Sequence, residues 1–486
     1  MNLFRVWTLS ALLVALLLPA AAVAHTAGEA TQRRQSVERS LMPAILLEGR
    51  PTEWTIQQRM ARYNVPGLSL ALIRDGSIDW TAEYGTTGRA ERVPITTSTL
   101  FQAASLSKPV AALVALKLVQ DGRLSLDEDV DRYLRSWRIK SEGQADTQPV
   151  TLRRLLSHNG GVNVSGFQGY AQGETLPTRL QVLEGSGPAN SPPVRVDAIP
   201  GSGYRYSGGG YQIVQHVIED VTNRPFDALA RDLVFAPLQM DRSTFAVAPS
   251  TPNAHVAAAG HDYAGETIAG GWRNYPEQAA AALWSTASDL ARFVIGVMHA
   301  FRGADDAVLD AGLSAQMLTR QAGNAGLGPG VHGEGADLHF DHAGSTGGYR
   351  AYMIGYPASG DGLVVMANGD GGKELINEIV RSAAQVYGWP GFRPETRPVA
   401  DLPRSTLETY AGSYYVDEYD LTITIRADGD HLLISTPRGS RYTFYPSSVS
   451  QFFSIEDGST LEIVRRGPEP DEVRLWGMVG HRSTTP

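Results

Sequence analysis

A change of pattern near residue 390 divides this chain of 486 residues into two parts. From Ile45 to Trp389, strand-like and helix-like stretches alternate. Beyond Pro403, short alternating strands are separated by turn signals such as Asp428-Gly429 and Asp457-Gly458. The segment between these parts carries four prolines, which favour an extended linker: Pro390, Pro394, Pro398 and Pro403. The pattern predicts an α+β domain followed by a small all-β domain.

The predicted domain organisation follows from that change. Residues 25–388 form the α+β domain, 389–403 the linker and 404–486 the all-β domain. A small all-β domain has to protect its strand edges, so a barrel or a sandwich is expected, and we favour the barrel. In the first domain the pattern predicts a strand pair joined at Asp75-Gly76. Helices are expected at 110–119, 211–221 and 287–297.

The first 24 residues have the pattern of a secretory signal peptide. Arg5 supplies the positive charge, Leu9 to Leu18 the apolar stretch, and Ala22 to Ala24 a small-residue cleavage site. An uncleaved membrane anchor is the alternative, but the apolar run is short and stops at Pro19. We therefore expect cleavage after Ala24, a periplasmic or secreted product and no stable membrane insertion.

Composition excludes several classes of function. The formal net charge is −9 and no long basic run occurs, so nucleic acid is not expected as a partner. The absence of cysteine excludes disulfides, cysteine-based zinc sites, Fe–S clusters and cysteine nucleophiles. Neither an H-E-x-x-H metal motif nor a G-x-S-x-G nucleophile elbow is present, and we expect no metal site.

One serine–lysine pair points to nucleophilic catalysis. The chain has only four lysines, and Lys108 follows Ser105 by three residues, a spacing that places both on one helical face. Unlike arginine, lysine can lose its proton when it is desolvated and so act as a base. Pro109 fits only the first turn of a helix, so Ser105 is predicted near a helix N-terminus. A capping serine beside a solvated lysine is the alternative interpretation.

Two later segments contain candidate partners for this pair. Residues 200–211 form a glycine-rich loop around Tyr206, and a tyrosine beside an ammonium could have a lowered pKa and carry protons. The small residues of 342–348, starting at His342, would let a substrate backbone lie along a strand edge. Ordinary packing of the tyrosine and a plain turn are the alternatives. His158 is interpreted as a structural hydrogen-bonding residue.

Together, S-x-x-K, the tyrosine in P-G-x-x-Y-x-Y-S and H-x-G resemble the penicillin-recognising serine hydrolases. These comprise class C β-lactamases and related D-alanyl-D-alanine carboxypeptidases, D-aminopeptidases and esterases. The resemblance implies a β-lactamase/transpeptidase-like antiparallel sheet flanked by helices, and no cofactor. The C-terminal stretch, which includes residues 410–414, resembles the lipocalin-like β domain that is appended in some members. The resemblance extends over about residues 50–388 and includes Val65–Gly67, Leu100–Ser105, Leu116–Leu126, Leu155–His158, Pro237–Met240 and Trp284–Leu290.

The resemblance also implies roles for individual residues. Ser105 would be the acylated nucleophile, Lys108 its base and Tyr206 the proton relay to the leaving group. His342 stands where other members carry lysine. The backbone N–H groups of Ser105 and Ser345 would form the oxyanion hole. The residues expected to contact substrate are Gly344, Thr346 and Gly208.

Gly208 departs from the Y-x-N motif of many members, so the amide that contacts a substrate side chain there is missing. This weakens a β-lactamase or strict D-Ala-D-Ala interpretation. We expect an exported serine hydrolase that cleaves an amide or ester of a small molecule or peptide, as a D-peptidase or esterase. A true β-lactamase and a non-catalytic protein that binds peptidoglycan fragments or β-lactams remain alternatives. Arg350 either pairs with a substrate carboxylate or lies on a solvated face.

Overall fold

A computed structural model describes residues 28–88, 93–141, 143, 147–249, 256–465 and 470–483. The predicted signal peptide, residues 1–24, lies outside the described residues. Within the described part of the chain, no helix is both long enough and apolar enough to cross a membrane.

The first domain is built on a six-stranded antiparallel sheet, which confirms the predicted fold class. Its strand order is β3 (Ser77–Gly85), β2 (Gly67–Arg74), β9 (Asp361–Ala367), β8 (Tyr349–Tyr356), β7 (His339–Thr346) and β6 (Gly330–His332). β2 and β3 are the hairpin that the sequence predicts around Asp75-Gly76. The central strands β2 and β9 are buried almost throughout, because helices cover both faces of the sheet.

Alternate residues of β2 serve two separate cores. Leu68, Leu70 and Leu72 pack against the helix Gly372–Tyr387 on one face. Ala71 and Ile73 face the larger core, which includes the helices Ser107–Gln120, Gly208–Thr222 and Ala287–Phe301. The first two of these helices begin three residues earlier and end one residue later than predicted, and the third begins as predicted and ends four residues later. The remaining helical segments are 28–39, Ile56–Arg62, Val130–Arg132, Leu152–Leu156, Arg179–Glu184, Phe226–Ala230, Arg231–Phe235, Gln278–Ala281, Ala311–Met317 and Gly335–Asp337.

A short strand pair leads into the helix Ser107–Gln120. The strands are β4 (Phe101–Ala104) and β5 (Leu283–Ser285), and they pair antiparallel. The helix that follows β4 is buried on nearly all sides, which explains why its sequence is apolar around the whole circumference. The residues that follow β4 therefore lie in the middle of the large core, between the sheet and the helices.

The second domain is a closed barrel of eight strands, as the sequence predicts. Buried side chains fill its interior, including Tyr414, Phe444 and Phe452. The short helix Arg404–Tyr410 precedes it, and Asp417–Tyr419 forms a further helical turn. The strands, β11 to β18, are Gly412–Val416, Leu421–Asp428, His431–Ser435, Arg441–Pro446, Gln451–Ser454, Thr460–Arg465, Pro470–Leu475 and Met478–Arg482.

The segment predicted as a linker contains a strand of its own. β10 (Glu395–Arg397) pairs in parallel with β1 (Ile45–Leu47) near the N-terminus. The N–H groups of Ala44 and Ile45 also donate to the carbonyl of Ile455 in the barrel, at 2.8 and 3.1 Å. The N-terminal segment is thus held by both the linker and the barrel.

Candidate active site

The backbone turns sharply where β4 ends and the candidate nucleophile follows. Ala104 has a φ of +53°, a left-handed conformation that side chains with a Cβ rarely adopt. The next residue, Ser105, lies two positions ahead of the helix Ser107–Gln120. The hydroxyl of Ser107 donates to the Ala104 carbonyl at 2.6 Å and accepts from the Leu283 N–H at 3.0 Å. Ser107 therefore fixes the turn and leaves Ser105 facing the site.

Lys108 is buried beside Ser105. Its Nζ lies 3.0 Å from Ser105 Oγ and 2.8 Å from the carbonyl oxygen of Ala280. Burial lowers the pKa of Lys108 from 10.5 to about 7. Among the described residues, no carboxylate lies within ion-pair distance of this amine. A substantial fraction of Lys108 is therefore neutral near pH 7 and able to accept a proton.

Tyr206 completes this group on the side of the glycine-rich loop. Its ring centroid lies 4.9 Å from Lys108 Nζ. The expectation of a lowered tyrosine pKa is wrong: burial raises the pKa of Tyr206, more than the nearby Ser105 side chain lowers it. The phenol therefore keeps its proton at neutral pH. It can donate that proton and recover one from a neighbour.

His158 lies directly against Tyr206, with 4.3 Å between the ring centroids. Its Nδ1 accepts a hydrogen bond from the Ser207 N–H at 3.1 Å, as expected of a structural residue. Burial and the charge of Lys108 hold the pKa of His158 well below its usual value. Sequence reasoning missed the ring contact with Tyr206, because nothing local indicates that residues so far apart in the chain meet.

His342 also lies near Tyr206, with ring centroids 6.5 Å apart. Its Nδ1 lies 2.8 Å from the Ala343 carbonyl, and since a carbonyl only accepts, Nδ1 carries the proton. Burial, followed by the charge of Lys108, lowers the pKa of His342 to about 4. His342 is thus uncharged at neutral pH, with Nε2 left as an acceptor.

Strand β7 presents a partly free edge to this group. β6 pairs with it only from His339 to Asp341, so the rest of that edge is uncovered in the described structure. The two-residue turn between Thr346 and Tyr349 sets the register with β8, so the N–H of Ser345 points away from β8. At Gly344, a Cβ would lie 2.3 Å from the Ala103 carbonyl. Glycine is needed there because β7 comes so close to β4.

The other predicted substrate contacts lie nearby. The Thr346 hydroxyl donates to Gln102 Oε1 at 3.1 Å, so it is occupied by a protein partner. Gly208 begins a helix, and a Cβ on it would lie 3.1 Å from the Phe167 ring. Gly208 lines neither of the two cavities described next. Substrate contacts at these two residues remain predictions.

Two cavities flank β7. The first, of about 630 Å³, is lined by Tyr206 and His342 and is called the relay cavity here. The second, of about 580 Å³, is lined by Ser345 and Thr346 and also by residues 437–439 of the barrel. We call it the barrel-side cavity. Tyr206 thus lines only the relay cavity and Ser345 only the barrel-side cavity, and neither space is lined by Ser105 or Lys108.

Arg350 and the histidines around β7 have protein partners. Arg350 pairs with Asp370 at 2.9 Å and donates to the carbonyls of Thr346 and Tyr349. Both alternatives expected for Arg350, a pair with a substrate carboxylate and a solvated position, are therefore replaced by an ion pair within the protein. His332 and Asp341 lie 3.2 Å apart, but no cluster in the described residues has the three ligands that a metal ion needs.

The comparisons with known proteins agree with this geometry. The family model described as Beta-lactamase matches residues 53–386. The chain belongs to the Beta-lactamase family. "Penicillin-binding protein 4" of Amycolatopsis lactamdurans is 28% identical to this family member over 370 residues, which are 70% of this chain and 92% of that protein. "Penicillin-binding protein 4*" of Bacillus subtilis is 24% identical over 79% of this chain and 88% of its own length.

Solved structures show the same fold. The octameric penicillin-binding protein homologue from Pyrococcus abyssi has a TM-score of 0.60 and 22% identity, over 87% of this chain and 98% of its own. The D-amino acid amidase from Ochrobactrum anthropi has a TM-score of 0.57 and 23% identity, over 74% of this chain and 98% of its own. The expected family is confirmed, and the chain is a serine hydrolase of the Beta-lactamase family.

Proposed function

We propose that this serine hydrolase cleaves an amide or ester through an acyl-enzyme on Ser105. The observation that carries the proposal is the 3.0 Å approach of Lys108 Nζ to Ser105 Oγ, in a place where no described carboxylate holds the amine in its charged form. A lysine that only stabilised the fold would gain from an acidic partner. A lysine that serves as a base has to be free to lose its proton.

Acylation follows from the positions of three side chains. Neutral Lys108 accepts the proton of the Ser105 hydroxyl as Oγ bonds to the substrate carbonyl carbon. Negative charge develops on the carbonyl oxygen, where the N–H groups of Ser105 and Ser345 would stabilise it. When the bond to the leaving group breaks, Tyr206 donates its proton to that group and is reprotonated from Lys108. The products are the Ser105 ester and the free amine or alcohol.

Deacylation reverses the direction of proton transfer. A water molecule attacks the ester carbonyl and loses a proton through Tyr206 and Lys108, while Ser105 Oγ regains its proton as it leaves. His342, uncharged at neutral pH, offers Nε2 as an acceptor beside Tyr206. We propose that it orients the relay or the leaving group rather than supplying positive charge.

The proposed substrates are small molecules or peptides, cleaved by a D-peptidase or esterase activity. Two structural neighbours support the class: one is a D-amino acid amidase and the other a D-alanine carboxypeptidase. Gly208 supplies no side-chain amide, which favours this class over strict β-lactam or D-Ala-D-Ala specificity. The N-terminal sequence supports export to the periplasm or the medium.

Intact-protein mass spectrometry tests the proposal. The mature chain and its Ser105→Ala variant are incubated separately with a fluorophosphonate, a penicillin, a p-nitrophenyl ester and a D-Ala-D-Ala peptide, and product release is followed in parallel. We expect an adduct on the native chain alone, with unchanged circular dichroism for the variant. The substrate that turns over identifies the specificity. An adduct on the Ser105→Ala variant would contradict the assignment, and binding without any adduct or turnover would indicate a binding protein.

A further inference from the structure

The barrel contributes directly to the wall of the barrel-side cavity. Its loop between β13 and β14 brings Pro437, Arg438 and Gly439 to a space that is also lined by Ser345 and Thr346 of β7. The two domains therefore meet at the edge of the candidate active site. A substrate that extends from Ser345 into this cavity would reach the barrel.

The loop is fixed against the first domain rather than merely close to it. Thr436 and Ser440 close the loop through a backbone hydrogen bond of 3.1 Å and a contact of 2.6 Å between their hydroxyls. Gly439 has a φ of +92°, and a Cβ on it would lie 3.2 Å from Tyr263 of the first domain. Just beyond the loop, the Tyr442 hydroxyl donates to Glu374 at 3.0 Å. These contacts fix the loop that carries Arg438.

Among the charged residues of this cavity, Arg438 is the cation left unmatched. Arg350 is paired with Asp370 at 2.9 Å. Asp262 accepts the N–H groups of Ala264 and Glu266, both at 2.9 Å. Arg438 is exposed and makes no hydrogen bond or ion pair with any described residue. An arginine without a protein partner, facing a cavity beside a reactive group, is suited to bind a carboxylate of a ligand.

The orientation of the bound substrate determines whether its acyl part or its leaving group lies near Arg438. Tyr206, the proposed proton donor to the leaving group, lines the relay cavity, so the leaving group belongs there. The acyl part then continues along the free edge of β7, past the N–H of Ser345, into the barrel-side cavity. Its far end meets the barrel loop.

We propose that Arg438 is a specificity-determining residue that binds a carboxylate on the acyl part of the substrate, so that the barrel completes the substrate site. The inference rests on the proposed acyl-enzyme function and names the substrate class as acyl donors with a remote acidic group. The barrel, whose own interior is filled with side chains, acts through its rim.

The test uses two series of p-nitrophenyl esters and the full mature chain. One series consists of monoesters of linear dicarboxylic acids of increasing chain length. The other is the same series with the far carboxyl methylated. The readout is the ratio of kcat/KM for the acidic ester to that for its neutral partner. It is measured for the native chain, Arg438→Gln, Arg438→Lys and Arg438→Glu, with Arg441→Gln as a control on the following strand.

We expect the ratio to peak at one chain length and to fall at least about tenfold in Arg438→Gln, in line with the loss of a charge-assisted hydrogen bond. Arg438→Lys should recover part of the ratio, Arg438→Glu should lower it further, and Arg441→Gln should leave it unchanged. The neutral esters should react at similar rates in all five proteins. A ratio unaffected by Arg438→Gln, with the neutral esters still hydrolysed, overturns this inference alone.

A third ester, with its carboxylate on the leaving phenol, tests the direction of binding. Its kcat/KM should be insensitive to Arg438→Gln, because the leaving group occupies the relay cavity. A loss confined to this ester overturns the assignment of Arg438 to the acyl side. Absence of any reaction at Ser105 in the native chain, with either series, overturns the proposed function and this inference with it.

Discussion

Two buried cationic residues in the first domain differ in their partners and in the direction of their pKa shifts. Arg59 lies against Glu378, with N–O distances of 2.8 and 2.6 Å, and its guanidinium carbon is 3.7 Å from the centroid of the Trp54 ring. Burial alone would lower the pKa of Arg59, but the hydrogen bond and charge of Glu378 raise it overall. Lys108 has no such partner among the described residues, and burial lowers its pKa to about 7.

This difference between Arg59 and Lys108 distinguishes a cation that stabilises the fold from one that takes part in catalysis. A buried charge is tolerated when a partner compensates for its desolvation, as at Arg59. At Lys108 the compensation is missing, so the folded state is less stable whenever the amine is charged. A carboxylate beside Lys108 would stabilise the fold but would also keep the amine protonated and useless as a base. The absence of a charged partner in the described structure therefore identifies Lys108, rather than Arg59, as the functional cation.

The largest expected effect comes from replacing Lys108 with methionine, which keeps much of its volume. Turnover should fall by about a thousandfold or more, because the base for Ser105 is lost. The free energy of unfolding should nevertheless rise at pH 6, by at most about 5 kcal/mol, from the pKa difference between 10.5 and about 7. Steady-state kinetics and urea unfolding test both parts. An active variant would contradict the role of Lys108 as the base, and a variant much less stable than the native chain would contradict the cost assigned to its buried charge.

Glu378→Gln should have the reverse profile. It leaves Arg59 charged and buried without its carboxylate, so we expect a loss of about 3–5 kcal/mol in the free energy of unfolding. The kcat/KM of the folded fraction should change little. The double variant Arg59→Met/Glu378→Met removes both charges and should be destabilised less than Glu378→Gln alone. Equal losses in the single and double variants would contradict the role assigned to the pair.

A smaller effect is expected in the pH dependence of the free energy of unfolding, which tests whether Lys108 is buried without a charged partner. Between pH 7 and 10.5 the unfolded chain holds the Lys108 proton and the folded chain does not. Unfolding then takes up a proton, so the stability of the native chain relative to Lys108→Met rises with pH, by at most about 1.4 kcal/mol per pH unit. Unfolding free energies of both proteins at several pH values above and below 7 measure this difference. The kcat/KM of the native chain should rise over the same region, through a pKa near 7, and a flat profile would argue against Lys108 as the base.

The smallest effect is expected at an exposed ion pair. Arg404 and Glu408 lie one helical turn apart at 2.9 Å, and both side chains are exposed. Arg404→Ala should change the free energy of unfolding by less than about 0.5 kcal/mol, because water screens such pairs. Thermal unfolding at low and high salt checks this value. A loss comparable to that of Glu378→Gln would show that burial does not govern the difference.

Local patterns predicted much of this molecule from its sequence. The spacing of Ser105 and Lys108, with Pro109 as a marker of the first helical turn, located the reactive pair. Periodicity located the hairpin, the three long helices and the barrel. In each case the determining residues are neighbours in the chain, so the physical cause lies within a short window of sequence.

What the sequence did not predict depends on residues that meet only after folding. The carbonyl of Ala280, 172 residues beyond Lys108, and the ring of His158 have no local signal. The pKa of Tyr206 was wrongly predicted because its sign depends on how deeply the ring is buried, which only the tertiary structure shows. The same holds for Arg438, whose place at the cavity is set by contacts between domains.

The pairing of β1 also has a consequence for the order in which the molecule can assemble. Ile45 leaves the ribosome well before Ile455, whose carbonyl accepts its N–H. The apolar side chains around this junction include Phe453 of the barrel. Until the barrel around Ile455 has been synthesised, the segment around Ile45 has an unsatisfied edge and uncovered apolar surface, which is a risk for aggregation. Any process that keeps the chain unfolded until the barrel has been made would remove that risk.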